Sequence, residues 1–216
     1  MKADLPIYRC RRLREPLEPG GQIDRPPWNA SEWIEDFVAT GEQKDPLPAH
    51  RFLRAACRWD QQHLYLAFVS APSLVPVTKT RRDDDIFNEC AVELFLAAGE
   101  GFYEFEINPL GAVLDLYCPH EDQEADWQTQ ARWDAAGLQW AVGALAAGAG
   151  WSAEMRLPWA DIPLVNREEV DGCPCLRGNF CRSGKRPDGS YEPASWARMD
   201  KRYSELESMG YMLLSA

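Results

Sequence analysis

The stretch CAVELFLAAGEGFYEFEINPLGAVLDLYC, residues 90–118, decides the fold class of this chain. Apolar and polar residues alternate along three runs, and each run is bounded by glycine, proline or small residues that favour turns. The pattern predicts a meander of three antiparallel strands with turns at Ala98–Gly101 and Pro109–Gly111. The predicted strands are Cys90–Ala97, Phe102–Asn108 and Ala112–Cys118.

The two faces of this meander differ in polarity. Successive side chains of a strand point to opposite faces, so alternation places Tyr103, Phe105 and Ile107 on one face of the middle strand. The opposite, polar face of the meander is predicted to carry Glu93, Glu104, Glu106, Asn108 and Asp115. This polar face is either a solvated outer surface or a ligand-binding surface, and the pattern leaves both interpretations open.

Further short strands are predicted on both sides of the meander. They are Arg51–Trp59, Leu64–Ser70, Arg132–Asp134, Leu138–Ala146, Trp151–Leu157, Leu176–Arg182, Ala194–Ala197 and Met209–Leu214. Many short strands at this spacing predict an all-β fold, an antiparallel β-sandwich of two packed sheets of jelly-roll or immunoglobulin type with few short helical turns. The chain is interpreted as one domain over residues 1–216, in which residues 1–22 are an irregular N-terminal segment.

The formal net charge of −11 argues against two classes of partner. A nucleic-acid-binding surface needs clustered Lys and Arg to neutralise phosphates, and here the short basic clusters are offset by nearby acids. The same balance argues against binding to anionic membranes. Neutral ligands such as sugars, or cations, stay open. Nine tryptophans exceed what a core of this size requires, so we expect some of them on the surface.

The cysteines and the N-terminus bear on the compartment. Seven scattered cysteines are typical of reduced, buried thiols, because a secreted disulfide framework normally pairs its cysteines. The first residues contain no apolar run of the kind found in a secretion leader. We therefore expect a cytoplasmic protein, or a secreted one if the sequence is a trimmed piece of a longer chain. The sequence leaves the oligomeric state open.

A series of short motifs, in order, resembles the family 9 carbohydrate-binding modules. The motifs are Ile23-Asp24 with Trp28, Cys57-Arg58-Trp59-Asp60, Leu64-Tyr65-Leu66, Asp83-Asp84-Asp85-Ile86-Phe87, Val92-Glu93-Leu94-Phe95, the run from Phe102 to Gly111, Gly150-Trp151-Ser152-Ala153-Glu154, Leu157-Pro158-Trp159, Ser195-Trp196 and Met209-Gly210. The resemblance covers the chain from about Ile23 to Leu214. It implies a two-sheet antiparallel sandwich that binds glucose or xylose units between two aromatic rings, without cleaving them.

The resemblance also implies which residues bind the sugar. Phe87 and Tyr203 stand where the family carries clamping tryptophans, and they would stack on a sugar ring. We expect Tyr203→Ala to abolish binding of oligosaccharide while leaving the melting temperature nearly unchanged. Asn108, Glu106 and Arg182 would bond the hydroxyls of a glucan-type or xylan-type ligand. The implied ligand-binding set is Phe87, Glu106, Asn108, Arg182, Trp196 and Tyr203.

An acidic run offers a candidate metal site. Asp83, Asp84 and Asp85 present hard oxygens suited to a structural Ca²⁺, which members of the resembled family sometimes bind. Their spacing is not that of an EF-hand. A solvated acidic loop is the alternative interpretation of the same three residues.

Other functions are kept as alternatives to sugar binding. Glu93, Glu104 and Glu106 are suited to the paired carboxylates of a glycoside hydrolase, although the sequence contains no other active-site motif. A related sandwich superfamily binds haem, and a protein-interaction domain would keep the fold alone. The candidate haem ligands are Met199, Met209 and Lys201.

Overall fold

The computed structural model describes residues 5–39, 51–120, 126–199 and 204–216. These residues form strands joined by turns, which confirms the all-β prediction. The strands are β1 (Ile7–Arg12), β2 (Val38–Ala39), β3 (Leu53–Trp59), β4 (His63–Ser70), β5 (Cys90–Ala98), β6 (Gly101–Ile107), β7 (Val113–Cys118), β8 (Gln139–Ala144), β9 (Trp151–Pro158), β10 (Arg167–Val170), β11 (Cys173–Gly184), β12 (Ala194–Ser195) and β13 (Gly210–Ser215). Helical structure consists of α1 (Trp127–Gln130) and of 3₁₀ turns at Trp28–Ala30, Ile86–Asn88, Ala146–Gly148 and Leu206–Ser208.

Within the described ranges, no helix has the length and apolar character needed to cross a bilayer.

The strands belong to one continuous hydrogen-bonded sheet. Its main path runs β7-β6-β5-β11-β13-β1-β3-β4-β9-β8, and the short strands β10, β12 and β2 attach beside it. Most neighbours are antiparallel, but β1 pairs in parallel with both β13 and β3. The structure departs from the predicted antiparallel sandwich in one respect, the parallel pairing of β1. β1 joins the halves into one mixed sheet because each of its two edges finds a partner for its backbone N–H and C=O groups.

The sheet curls so that its two halves face each other across an apolar core. One half contributes Leu94 and Phe105 to this core and the other contributes Leu66 and Met155, all of them buried. The ring of Phe180 on β11 lies 5.9 Å from the ring of Phe68 on β4. The apolar face predicted for residues 90–118 is therefore the inside of the sandwich.

Two local predictions are wrong. Residues 1–22 are not irregular throughout, because Ile7–Arg12 forms β1 with Tyr8 and Cys10 turned into the core. The run is short and its partner strands are distant in the sequence, so no local pattern identifies it. Arg132–Asp134 is a turn rather than a strand, because the N–H of Trp133 bonds back to the carbonyl of Gln130 at the end of α1.

The chain between β1 and β2 covers the outer face of the half formed by β3, β4 and β9. Trp28 is completely buried there against Ala56, Tyr65 and Ala67. We call this surface, defined by those four residues, the Trp28 face. Its packing forms a second apolar layer outside the sheet, so this half of the sheet is buried on both sides.

A buried carboxylate ties this covering segment to the sheet. Glu154 of β9 is 1% exposed and accepts a hydrogen bond from the N–H of Gly20 at 2.7 Å. It also accepts hydrogen bonds from the Arg25 guanidinium at 2.8 Å and from the indole N–H of Trp28. The Arg25 guanidinium therefore balances the charge of Glu154, and two neutral donors add hydrogen bonds, as a buried carboxylate requires.

Candidate functional site

A cluster of three glutamates lies on the outer face of the other half of the sheet. Glu93 of β5 stands directly opposite Glu106 of β6, and Cys181 of β11 stands opposite Glu93 on the other side. Directly opposed residues point to the same face of a sheet. One oxygen from each of Glu93, Glu104 and Glu106 lies within 4.8 Å of the others. We call these three residues the glutamate cluster and their side of the sheet the glutamate face.

The glutamate face is not a solvated outer surface. Glu93 and Glu106 are each 1% exposed and Glu104 is 9% exposed. The solvated interpretation of these positions is therefore wrong, and the alternation that suggested a polar face is correct for the three glutamates. The physical reason is a second apolar layer, because buried residues such as Ile86 and Met209 pack over this face as well.

Burial and crowding of like charges make this cluster electrostatically unusual. The pKa of Glu106 is raised well above its ordinary value by burial first, then by the charges of Glu93 and Glu104 and a hydrogen bond shared with Glu104. Burial and the same three carboxylates also raise the pKa of the Cys181 thiol well above its ordinary value. Within the described part of the chain, the Oε2 atom of Glu106 is buried and has no hydrogen-bond partner. Glu106 therefore keeps a buried acceptor atom that no described residue satisfies.

An aromatic pair lies at the edge of the glutamate face. Phe87, in the turn before β5, and Trp127, in α1, are partly buried and pack against the apolar layer that surrounds the cluster. Their ring centroids are 5.3 Å apart with nearly perpendicular planes. Partly exposed aromatic rings beside hydrogen-bond acceptors are the combination that sugar recognition needs, since a sugar has apolar C–H faces and a rim of hydroxyls.

Two of the residues implied by the resemblance lie on this face. Phe87 belongs to the aromatic pair and Glu106 belongs to the glutamate cluster. Tyr203 lies outside the described residues. The role implied for Tyr203, as the second ring of a clamp, stays a prediction.

The three other implied residues have contacts of their own within the protein. Asn108 makes a turn, because its side-chain oxygen accepts from the N–H groups of Leu110 and Ala112 at 3.0 Å and its amide donates to a backbone carbonyl. Arg182 stands opposite the core residue Val92 and therefore points to the inside of the sandwich. Trp196 packs in the core with its ring 5.8 Å from the ring of Phe180. Arg182 and Trp196 therefore do not lie on the glutamate face.

The strand register corrects the predicted position of Asp115 on the polar face. Asp115 stands opposite Phe105, so it points to the inner face of the sheet. It accepts hydrogen bonds from Arg82 at 2.6 Å and from the N–H of Ala135 at 2.7 Å. Burial nevertheless raises the pKa of Asp115 to about 6.

The predicted Ca²⁺ ligands do not converge on one point. Asp84 bonds the N–H of Arg81 at 3.0 Å, and Asp85 pairs with Lys79 at 2.6 Å. Asp83 is instead grouped with Asp115 and Asp134. The guanidinium of Arg82 bonds both Asp115 and Asp134.

The candidate haem ligands are only partly described. Met209 is buried in the layer over the glutamate face, Met199 is also buried, and Lys201 lies outside the described residues.

The implied ligand-binding set lacks three members of the candidate site, which are Glu93, Glu104 and Trp127. Alternation identified the two glutamates as facing the same way as Glu106, but only the strand register shows that the three carboxylates meet.

Comparisons with known proteins place this geometry in a known fold. No protein-family model and no curated protein matches the sequence. Two matching structures are family 9 carbohydrate-binding modules from Caldicellulosiruptor kristjanssonii. The one in complex with cellotriose has a TM-score of 0.64 and 12% identity, over 98% of this chain and 94% of that chain. The one in complex with glucose has a TM-score of 0.67 and 10% identity, over 97% and 96%.

A third structure agrees with these two. It is a "putative carbohydrate-binding protein" from Bacteroides uniformis ATCC 8492, with a TM-score of 0.70 and 14% identity over 98% of this chain and 100% of that chain. All three matches span nearly the whole length of both chains. This chain therefore has the fold of the family 9 carbohydrate-binding modules.

Proposed function

We propose that this protein binds a carbohydrate, without cleaving it, at the glutamate face. The observation that carries the proposal is the buried Glu106, whose Oε2 has no hydrogen-bond partner among the described residues and which lies on the same face as the aromatic pair. A buried acceptor without a donor costs stability, and a ligand that supplies a donor recovers that cost. Natural sandwiches of this fold that were solved with glucose or cellotriose support the choice of ligand class.

The proposed contacts follow from the chemistry of the site. Hydroxyl groups of a sugar donate hydrogen bonds to the carboxylates of Glu93, Glu104 and Glu106. Phe87 and Trp127 pack against the C–H faces of the ring, where aromatic side chains gain contact without satisfying any polar group. A neutral ligand suits a protein of net charge −11, because it brings no charge repulsion to the acidic cluster.

Binding without cleavage is favoured by the arrangement of the carboxyl groups. In a retaining glycosidase, the acid and the nucleophile stand about 5–5.5 Å apart on either side of the bond that breaks. One oxygen from each of Glu93, Glu104 and Glu106 lies within 4.8 Å of the others, which is closer than that separation. The two solved modules with named sugars are binding modules as well.

The ligand is proposed to be a glucose-type or xylose-type saccharide. The experiment is calorimetric titration of the protein with glucose, cellotriose and xylotriose, together with an assay for release of reducing sugar. We expect saturable binding to at least one sugar and no release of product. Release of reducing sugar would replace the proposal with a hydrolase, and an absorbance scan for a Soret band tests the haem alternative on the same sample.

Two variants locate the site. Glu106→Gln removes a carboxylate acceptor, and Phe87→Ala removes a stacking ring. Each is expected to weaken binding at least about tenfold, which corresponds to about 1.4 kcal/mol. Glu169→Gln and Leu164→Ala change exposed residues elsewhere and should leave the affinity unchanged. Full affinity in both Glu106→Gln and Phe87→Ala would move the site away from the glutamate face.

A further inference from the structure

Two of the seven cysteines meet in the core, although they are far apart in the chain. β1 and β3 pair in parallel with Arg11 opposite Arg58. The preceding residue in each strand is a cysteine, so Cys10 and Cys57 are neighbours across this pair of strands. Both residues are completely buried and belong to the core between the two halves of the sheet. Their side chains therefore point to the same side.

The spacing of the two cysteines suits a disulfide. Burial raises the pKa of the Cys10 thiol well above its ordinary value, and the neighbouring Cys57 thiol raises it further. Neighbouring strands lie about 4.8 Å apart, and a disulfide joins residues whose Cα atoms are roughly 4.4–6.8 Å apart. The hydroxyl of Tyr8 accepts a hydrogen bond from the N–H of Cys57 at 3.2 Å and donates one to the carbonyl of Glu32 at 2.7 Å. These bonds help to hold β1 and β3 in the register that brings the thiols together.

Another pair of cysteines provides a contrast. Cys173 and Cys175 lie two residues apart on β11, which places their Cα atoms about 6.7 Å apart along the strand. This separation is at the upper limit for a disulfide. The thiol of Cys173 donates to the carbonyl of Leu214 at 3.6 Å. Geometry therefore favours the pair across β1 and β3 over the pair within β11.

We propose that Cys10 and Cys57 form an intramolecular disulfide when the chain folds in the presence of a small disulfide such as oxidised glutathione. The thiolate of one cysteine attacks a sulfur of oxidised glutathione and releases one glutathione. The thiolate of the other cysteine attacks the resulting mixed disulfide and releases the second glutathione. Two protein thiols are oxidised, one glutathione disulfide is reduced, and the two thiol protons end on the released glutathione molecules.

The exchange takes place before β1 docks. β1 lies inside the sheet between β13 and β3, where a reagent has no access to its core-facing side chains. Burial also raises the pKa of the Cys10 thiol well above its ordinary value, so the folded protein offers little thiolate for attack. The same burial shields the finished disulfide from reductants. The bond would then join β1 and β3 covalently inside the core.

The experiment is to unfold the reduced protein, refold it in a buffer of reduced and oxidised glutathione, and map its peptides by mass spectrometry without reduction. We expect one linked peptide pair that contains Cys10 and Cys57. Two fewer thiols should titrate after unfolding than in the reduced protein. The melting temperature should be roughly 5–10 °C higher, because the crosslink restricts the unfolded chain.

Matched variants separate this disulfide from general oxidation. Cys57→Ser should remove both the linked peptides and the dependence of the melting temperature on glutathione, whereas Cys175→Ser should keep both. Refolded wild-type protein that retains all seven thiols, or that links other cysteines instead, would overturn the proposal. The wild-type peptide map decides the question even where a variant does not fold.

Discussion

The two outer faces of the sandwich both bury glutamate, and they treat it in opposite ways. On the Trp28 face, Glu154 accepts hydrogen bonds from a guanidinium, an indole and a backbone N–H. On the glutamate face, Glu106 lies among other carboxylates and keeps an oxygen without a partner in the described residues. A carboxylate whose hydrogen-bond donors are supplied by the protein stabilises the fold. A carboxylate oxygen that lacks a donor in the protein can accept a hydrogen bond from a ligand. This difference distinguishes the structural face from the candidate functional face.

The largest expected effect comes from removing the ring that closes the Trp28 face. Trp28→Ala leaves a cavity against Tyr65 and removes a donor to Glu154, so we expect a loss of about 3–5 kcal/mol of unfolding free energy. Urea denaturation followed by circular dichroism measures this. Affinity for sugar should be unchanged at temperatures where the variant is folded. A loss of affinity in the folded variant would show that the two faces are not independent.

Replacing a carboxylate with an amide of the same shape tests the role of charge on the Trp28 face. Glu154→Gln keeps the shape of the side chain but leaves Arg25 without its carboxylate, and the amide repels one of the donors around it. We expect a loss of about 2 kcal/mol of unfolding free energy, as is typical for hydrogen bonds to a charged group. Chemical denaturation of both proteins at pH 7 gives the difference. A neutral result would mean that Glu154 is not held by its charge.

The same substitution of glutamate by glutamine on the glutamate face should not lower stability. Glu106→Gln removes a carboxyl group from a site crowded with like charges, so stability should stay the same or rise by up to about 1 kcal/mol. The measurement is the same denaturation experiment. A loss of stability as large as that of Glu154→Gln would contradict the difference between the two faces and would assign Glu106 a structural role.

The pH dependence of stability provides a smaller test. Because the folded pKa of Glu106 is raised above its unfolded value, the folded protein keeps a proton that the unfolded chain loses. This stabilisation is fully present below the unfolded pKa of 4.5 and is lost as the pH rises through the folded pKa. Melting temperatures from pH 4 to 8 should therefore decline less in Glu106→Gln than in the wild type. Asp115, whose folded pKa is about 6, should keep part of the decline in both proteins.

The smallest expected effect is that of removing divalent cations. The carboxylates of Asp84, Asp85 and Asp115 are already paired with Arg or Lys side chains, so EDTA should shift the melting temperature by less than about 1 °C. Differential scanning fluorimetry with and without Ca²⁺ measures the shift. A large stabilisation by Ca²⁺ that disappears in Glu106→Gln would instead place a cation in the glutamate cluster.

Strand alternation predicted most of the sheet and part of the site. It placed Phe105 inside the sandwich and turned Glu93, Glu104 and Glu106 the same way, because the period of a strand depends only on local sequence. It failed for Asp115, which was assigned to a face by its polarity although only its pairing with Phe105 decides the question. Register between strands depends on contacts that a single strand does not encode.

Strand register also explains why motif resemblance identified only some of the site residues. Resemblance led to Phe87 and Glu106, which lie on the glutamate face. It also led to Arg182, which is one position away from Cys181 and therefore faces the core instead of the cluster. At an identity of 10–14% to the matching structures, a shift of one residue in a strand reverses the direction of a side chain.

The position of β1 has a consequence for how the protein is made. β1 is the first strand among the described residues, yet one of its two partners is the last strand, β13, with Ile7 opposite Tyr211. During translation, one edge of β1 therefore stays open until β13 has left the ribosome. An open strand edge is a template for pairing with other chains. We expect nascent or truncated chains that end before Gly210 to aggregate or to need a chaperone, however well the rest of the sandwich has formed.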